Sequence, residues 1–119
     1  MVEKGGTPAA QVKPSSKDIA WAAGLIEGEG AFDTRRNDGR AGCAIRVAQV
    51  NQEPLLRLQK LFGGSIKQKK AHSTRANDYG VWGVSGPRAR GIAMTIYTFM
   101  SEKRREQLRA LLSDGVVSQ

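Results

Sequence analysis

The sequence predicts an α+β fold in which helices cover one face of an antiparallel β-sheet and leave the other face open. Alternating apolar and polar residues mark short paired strands, and helical periodicity marks the segments between them. The length of 119 residues suits one ordinary domain and is too short for two independent cores. Hairpins separated by helices favour a sheet that is covered on one side only.

The elements are expected in the order α-β-β-α-β-β-α-α. The first helix begins at a cap formed by Ser16 or Asp18 and ends near Gly28. Pro54 suits the first turn of the second helix, and the glycines at 63–64 stop it. The chain becomes helical again from about residue 88 and finishes with a last helix.

Two β-hairpins supply the predicted sheet. In the second strand Cys43, Ile45 and Val47 point to one face, and Arg46 points to the other. The neighbouring strands are expected to place polar side chains on the face that the helices leave open. The four strands are expected over residues 32–37, 41–50, 65–70 and 79–85.

The chain is interpreted as a globular intracellular protein with a tail at each end. Residues 1–17 are assigned to a flexible N-terminal tail, residues 18–115 to the domain and residues 116–119 to a C-terminal tail. No apolar run approaches the roughly 18 residues of a membrane span, and no signal peptide is evident. We therefore expect no membrane partner and no targeting segment, and a cytoplasmic, nucleoid-associated or organellar protein.

The charge distribution favours a polyanionic partner. Nineteen Lys and Arg against eleven Asp and Glu give a net charge of +8. Between residues 31 and 77 there are 10 basic and 3 acidic residues, an excess of 7 that falls on the hairpins and the helix between them. Nucleic acid is the first candidate, whereas an idle basic surface or acidic lipid is the alternative.

The open sheet face is the expected DNA-binding surface. A twisted sheet carrying basic and amide side chains fits the major groove, where they can pair with base edges and phosphates, although a solvated face has the same composition. The candidates for DNA binding are Asp33, Arg35, Asn37, Arg40, Arg46, Lys67, Lys69, Arg75 and Tyr79.

The first helix has a face that is almost free of side chains. Ala20, Gly24 and Gly28 recur every four residues with Ala23 beside them, so two such helices can pack closely. Glu29 follows at the C-terminal end, where the negative helix dipole disfavours a carboxylate without a cation. Two copies at a two-fold axis would repel each other, and a divalent ion such as Mg²⁺ would relieve that repulsion. A small-residue helix with solvated glutamates is the structural alternative.

Residues 22–30, AAGLIEGEG, resemble the LAGLIDADG motif of homing endonucleases. The stretch matches the small residue and glycine, the two aliphatic residues, the two acids one residue apart and the closing glycine. Ala22 stands where leucine is usual, and both acids are glutamate. The resemblance extends over about residues 18–112 and implies the αββαββα fold, with the sheet as a saddle for DNA.

The resemblance also implies a metal site. The carboxylate of Glu29 and the carbonyl of Gly28 would bind Mg²⁺ or Mn²⁺, and Gln49 at the end of the second strand would position water or the metal. A polar strand end or a helix cap explains Gln49 equally well. Composition agrees that carboxylates must hold any metal, because the single Cys43 and the single His72 cannot form a zinc site.

A lysine near the last helix completes the site implied by the resemblance. Lys103 matches it and would stabilise charge or order water, with Arg105 as a second candidate. Glu102 stands where an apolar residue is common, so the choice between Lys103 and Arg105 stays open. An ordinary basic helix start is the alternative.

The function implied by the resemblance is site-specific cleavage of double-stranded DNA by a homodimer. The resemblance implies a homodimer, because family members of this kind carry a single motif. A two-fold symmetric protein suits a near-palindromic target, with staggered cuts in both strands. A cleavage-inactive DNA-binding regulator or an RNA maturase on the same fold is the first alternative. A small basic RNA-binding or ribosome-associated protein would explain the charge but not the helix. The residues expected at the dimer interface are Ala20, Ala23, Gly24 and Glu27.

Overall fold

The computed structural model describes residues 8–35, 41–71 and 77–114, and within these ranges it confirms the predicted α+β architecture. The helices are α1 (Ser16–Glu29), α2 (Gln52–Phe62), α3 (Gly86–Ile96) and α4 (Glu102–Asp114), with a 3₁₀ turn at Tyr97–Phe99 between the last two. The strands are β1 (Gly30–Arg35), β2 (Ala41–Gln49), β3 (Ser65–Lys69) and β4 (Tyr79–Ser85).

The strands form one antiparallel sheet in the order β1-β2-β4-β3. Ile45 in β2 is paired with Phe32 on one side and with Val84 on the other, and Trp82 is paired with Ile66. Because paired residues point to the same face, the apolar positions line up across the whole sheet. The predicted alternation of faces is thereby confirmed.

The core lies between this apolar face and the helices. Trp82, Ile26, Leu55 and Leu108 are fully buried and come from the sheet and three different helices. The indole Nε1 of Trp82 donates to the carbonyl of Gly63 at 2.8 Å, which satisfies its one polar atom. None of the helices in the described ranges is long and apolar enough to cross a membrane.

The start of α1 corrects the predicted cap. Ser15, rather than Ser16 or Asp18, is the N-cap residue, and its hydroxyl accepts from the Asp18 amide at 3.1 Å. The Asp18 carboxylate in turn accepts from the Ser15 amide at 2.9 Å. This reciprocal capping box requires a spacing of three residues, which fixes the cap at position 15.

The other helix boundaries shift by about one turn or less. Asn51 caps α2 by accepting from the Glu53 amide, so α2 begins ahead of Pro54. Gly63 ends it at a φ of 75°, and the predicted glycine stop is confirmed. Helix α3 begins at Gly86 because Pro87 tolerates the first helical turn, where no amide donor is needed.

The described part of the N-terminal segment lies against the domain. The carbonyl of Pro8 accepts from the Gly64 amide and from Nη1 of Arg88, both at 2.9 Å. The Gln11 amide donates to the Lys60 carbonyl at 2.9 Å. These bonds tie the segment to the end of α2 and to α3, upstream of the predicted domain start at residue 18. The division into tails and a domain otherwise stays a prediction.

Candidate metal centre and nucleic-acid interface

The junction of α1 and β1 places Glu29 at the edge of the sheet. Glu29 is the last residue of α1 and is exposed, and β1 begins at the next residue. Gly30 permits this abrupt change, because a Cβ there would lie 2.7 Å from both Cγ2 and the carbonyl oxygen of Ile26. The carboxylate that the motif singles out therefore stands at a helix C-terminus with no linker after it.

Glu27, the other acid of the motif, is engaged within its own chain. Its carboxylate accepts from the amide of Ser101 at 2.9 Å and from the Ser101 hydroxyl at 2.7 Å. The backbone hydrogen bond from Ser101, followed by the hydroxyl bond, lowers the pKa of Glu27 below its ordinary value, and the charge of Arg104 acts in the same direction. Glu27 thus links the end of α1 to the start of α4.

Arg104 makes a second link between the same two helices. Its Nε donates to the carbonyl of Glu27 at 3.1 Å, and its Nη2 donates to the carbonyl of Gly30 at 2.8 Å. Nη1 donates to Gln107 at 2.7 Å, and the guanidinium lies over the ring of Phe32 at 5.0 Å. Sequence reasoning missed Arg104, because its main-chain acceptors lie 74 and 77 positions away and leave no signature in the sequence.

Two oxygen-containing groups at the end of α1 could bind a metal ion, because they have no hydrogen-bond partner among the described residues. Among the residues that the structure describes, neither the carbonyl of Gly28 nor the carboxylate of Glu29 accepts a hydrogen bond. Hard oxygen donors of this kind fit Mg²⁺ or Mn²⁺. No three His, Cys, Asp or Glu side chains cluster within residues 8–35, 41–71 and 77–114. The donors of one chain would therefore leave most coordination positions to other groups.

The two remaining predicted site residues lie at element ends. Gln49 is the last residue of β2 and is half-buried. Lys103 lies in the first turn of α4, is exposed, and has no partner among the described residues. Arg105 is half-buried and pairs with Glu102 at 3.8 Å. The Nε of Arg105 is buried without a hydrogen-bond partner among the described residues, so the choice between the two cations stays a prediction.

The small-residue face of α1 is narrower than the sequence suggests. Ala20, Gly24 and Gly28 are exposed, and a Cβ added to either glycine would meet no atom of the described residues within 4 Å. Ala23 is only 1% exposed and packs in the core of its own chain. Successive residues of α1 are rotated by about 100° around the helix axis, so residues four positions apart lie on the same side. Ala23 and Glu27 therefore share the inner side of the helix, which faces the rest of the chain.

The open sheet face carries the predicted polar residues in register. Lys67 is paired with Val81 and Lys69 with Tyr79, and their side chains point away from the helices. Arg46 also lies on this face, where its Nη2 meets the Asp33 carboxylate at 3.0 Å. Arg35 belongs to β1. The predicted DNA-binding residues Asn37, Arg40 and Arg75 lie outside the described residues.

A groove of about 630 Å³ runs over this face. Arg46, Lys67 and Arg88 line it together with small residues such as Ala44 and Gly83, and no acidic side chain lines it within the described chain. Such a concave basic surface concentrates a positive field. Arg88 was not predicted as a site residue, because helical periodicity alone does not show that the first turn of α3 borders the sheet.

Solved structures share this architecture. The homing endonuclease I-CvuI, solved in complex with its target, superposes with a TM-score of 0.67 and 18% identity over 83% of this chain and 68% of that chain. The chain has the homing-endonuclease fold. An archaeal intron-encoded homing endonuclease complexed with DNA gives a TM-score of 0.58, with 23% identity over 79% of this chain and 64% of that chain. The group I intron-encoded homing endonuclease I-CeuI, also complexed with DNA, gives 0.57, with 18% identity over 88% and 58%.

The homing-endonuclease fold confirms the resemblance drawn from the motif. A relative by sequence is the intron-encoded RNA maturase bI4 of Saccharomyces cerevisiae, which is 43% identical over 47 residues. That match covers 40% of this chain and 7% of the maturase, so the chain spans a small part of its length. No family model matches the chain.

Proposed function

We propose that the chain is one subunit of a homodimeric, site-specific DNA endonuclease. It would use Mg²⁺ or Mn²⁺ to hydrolyse one phosphodiester in each strand of a near-palindromic target. The observation that carries this proposal is that the carbonyl of Gly28 and the carboxylate of Glu29 have no partner among the described residues. They end the helix that leads directly into a sheet with a basic open face. The fold shared with homing endonucleases solved with DNA supports the same reading.

The chemistry is divided between the end of α1 and two side chains from other elements. A bound divalent ion supplies a more acidic water and stabilises negative charge on the phosphate and the leaving oxygen. Glu29 and the Gly28 carbonyl would hold the ion, and Glu29 also tolerates the negative helix end better with a cation beside it. Gln49 would orient the attacking water, and Lys103 would stabilise the charge on the phosphate.

The open face of α1 supports a homodimer. A glycine inside a helix costs about 0.5–1 kcal/mol relative to alanine, yet no described residue lies close enough to Gly24 or Gly28 to exclude a methyl group. Close approach of a second α1 would account for both glycines, because a residue without a side chain lets another backbone come near. It would bring two copies of Glu29 together, so that ligands from both chains, water and DNA phosphates complete the metal coordination.

DNA would lie along the groove on the open sheet face. Lys67, Lys69 and Arg88 are suited to phosphates, and Arg46 is suited to a base edge because Asp33 holds its guanidinium in place. Asn37, Arg40 and Arg75 remain candidates on the sequence argument alone. Affinity carried by such contacts should fall steeply as salt concentration rises.

Selection from a randomised duplex library tests the nuclease directly. The wild type with Mg²⁺ should release ends from a near-palindromic sequence, with short 3′ overhangs. Glu29→Gln should bind the same sequence but cut it at least about 100-fold more slowly, because it loses the charged metal ligand. The matched control is Glu106→Gln, which removes an exposed carboxylate from α4 instead of α1. This variant should cut DNA at the wild-type rate. Specific binding by the wild type without cuts would contradict the proposal.

A cleavage-inactive DNA-binding regulator or an RNA maturase on the same fold is the second candidate. The 43% identity to part of an RNA maturase favours the maturase. Parallel selections with DNA and RNA libraries separate the candidates, because a maturase should enrich a structured RNA and leave DNA uncut. A regulator should enrich a DNA sequence without cutting it.

A further inference from the structure

Hydrogen bonds join the end of α1 to the start of α4, and they flank one short segment on each side of this contact. At the junction of α1 and β1, the held residues are Glu27 and Gly30, and residues 28–29 lie between them. At the start of α4, the residues that hold this junction are Ser101, just before the helix, and Arg104, in its first turn, and residues 102–103 lie between them. The enclosed segments contain the proposed metal ligands on one side and the proposed catalytic lysine on the other.

Hydrogen bonds occupy several carbonyls at the end of α1 but not that of Gly28. The carbonyl of Ile26 accepts from the Gly30 amide, and the carbonyls of Glu27 and Gly30 accept from Arg104. The carbonyl of Gly28 has no partner among the described residues. The carbonyls of Ile26, Glu27 and Gly30 are thus occupied, and the open Gly28 carbonyl lies between them, next to Glu29.

Arg104 also supplies the charge that the end of α1 lacks. The last turn of α1 contains no basic residue, so the negative end of its dipole has no cation from its own helix. The guanidinium of Arg104 provides that cation from α4 while its planar fork spans two carbonyls. A lysine could offer the charge but could not span both acceptors in the same geometry.

We infer that Arg104 and Glu27 form a clamp that fixes the Gly28 carbonyl and Glu29 in position relative to Lys103. Arg104 is a positioning residue, because its donors already reach Glu27, Gly30 and Gln107. The inference rests on the proposed function for the roles of Glu29 and Lys103. The clamp itself is a set of contacts that can be measured without any reaction.

The test compares Arg104→Gln with Arg109→Gln. Arg109 lies on the same helix and also has hydrogen-bond partners, Glu102 and Tyr97, but none of its hydrogen bonds within the described residues reaches α1. Hydrogen exchange of the amides at residues 28–31 should accelerate in Arg104→Gln and not in Arg109→Gln. Mn²⁺ affinity, followed by electron paramagnetic resonance on the complex with the selected DNA, should fall about 10-fold or more in Arg104→Gln only.

Kinetics separate positioning from general loss of structure. Because Arg104 does not contact the proposed DNA face, kcat should fall in Arg104→Gln while KM for the DNA stays unchanged. Arg104→Lys should recover part of the Mn²⁺ affinity. If Arg104→Gln fails to fold, Glu27→Gln carries the same measurements from the other side of the clamp.

The outcomes distinguish this inference from the proposed function. A Mn²⁺ site that is lost in Glu29→Gln but unchanged in Arg104→Gln would overturn the clamp alone. Unchanged exchange at residues 28–31 would also overturn it. Mn²⁺ binding that does not depend on Glu29 would overturn the proposed function, and with it the role assigned to the clamp.

Discussion

The two sides of α1 differ in burial and in the hydrogen-bond partners of their glutamates. On the inner side Ala22, Ala23 and Ile26 are at most 1% exposed, and Glu27 has both a backbone and a hydroxyl donor from Ser101. On the outer side Ala20, Gly24 and Gly28 are exposed, and Glu29 has no partner among the described residues.

The difference separates residues that the chain needs for its own fold from residues that it does not. Each inner residue has a contact that accounts for its size or charge. The outer glycines weaken the helix without relieving a clash, and Glu29 stands at an unfavourable helix end. Among the described residues of one chain no contact accounts for the outer side, which is why we assign it to a second copy and a metal ion.

The largest effect is expected from the inner side. Ile26→Ala should lower the free energy of unfolding by about 2–5 kcal/mol, because it removes a fully buried side chain between the sheet and the helices. Urea unfolding at constant protein concentration measures this loss. Leu25→Ala, at a half-buried neighbour, should cost clearly less. Equal losses would contradict the assignment of sides.

Two glycines near the end of α1 should respond differently to replacement by alanine. Gly30→Ala should cost about 1–3 kcal/mol of unfolding free energy, since its methyl group would overlap Ile26. Gly28→Ala has open space and should not destabilise the isolated chain. Thermal unfolding of both variants at low protein concentration compares them. Similar destabilisation by both would show that the outer side is also packed.

The outer glycine Gly24 has a matched control in Gly91, an exposed glycine of α3 where an added Cβ would likewise meet nothing within 4 Å. At low concentration, where the chains are separate, alanine at either position should raise the unfolding free energy by about 0.5–1 kcal/mol. At high concentration only Gly91→Ala should keep its gain, because a methyl group at Gly24 would hinder association. Urea unfolding at two concentrations decides this, and identical behaviour would argue against a dimer through α1.

The smallest effect concerns pH. The hydrogen bonds from Ser101 lower the folded-state pKa of Glu27, so the ionised carboxylate stabilises the fold above the ordinary glutamate pKa of about 4.3. That contribution is lost as the pH falls through the lower folded-state pKa. Glu27→Gln should therefore flatten the loss of stability in this acid range. An unchanged pH profile would mean that the Ser101 contact contributes little.

Much of the fold could be predicted from the sequence because the signals are local. The alternation in β2 and the glycine stop after α2 each depend on neighbouring residues, and both predictions are confirmed. The cap of α1 was predicted one or three positions late, because serine occurs at both 15 and 16 and only the reciprocal bond with Asp18 distinguishes them.

The candidate site was predictable only where the motif names a residue. Glu29 and Gly28 could be identified from the motif. Arg104 could not, because its role depends on hydrogen bonds to main-chain carbonyls that lie far away in the sequence. The burial of Ala23 also requires knowledge of how α1 is rotated against the sheet. Small residues on a helix identify a surface of close approach but do not tell which neighbour lies there.

Sedimentation of the wild type, Gly24→Leu and Gly91→Leu tests most directly the claim that the outer side of α1 receives a second copy. Both substitutions place the same helix-favouring side chain at an exposed helical glycine, so they differ in location alone. We predict that the wild type and Gly91→Leu have the mass of a dimer and that Gly24→Leu has the mass of a monomer. A monomeric wild type, free and on DNA, or a Gly24→Leu dimer of undiminished affinity, would contradict the account.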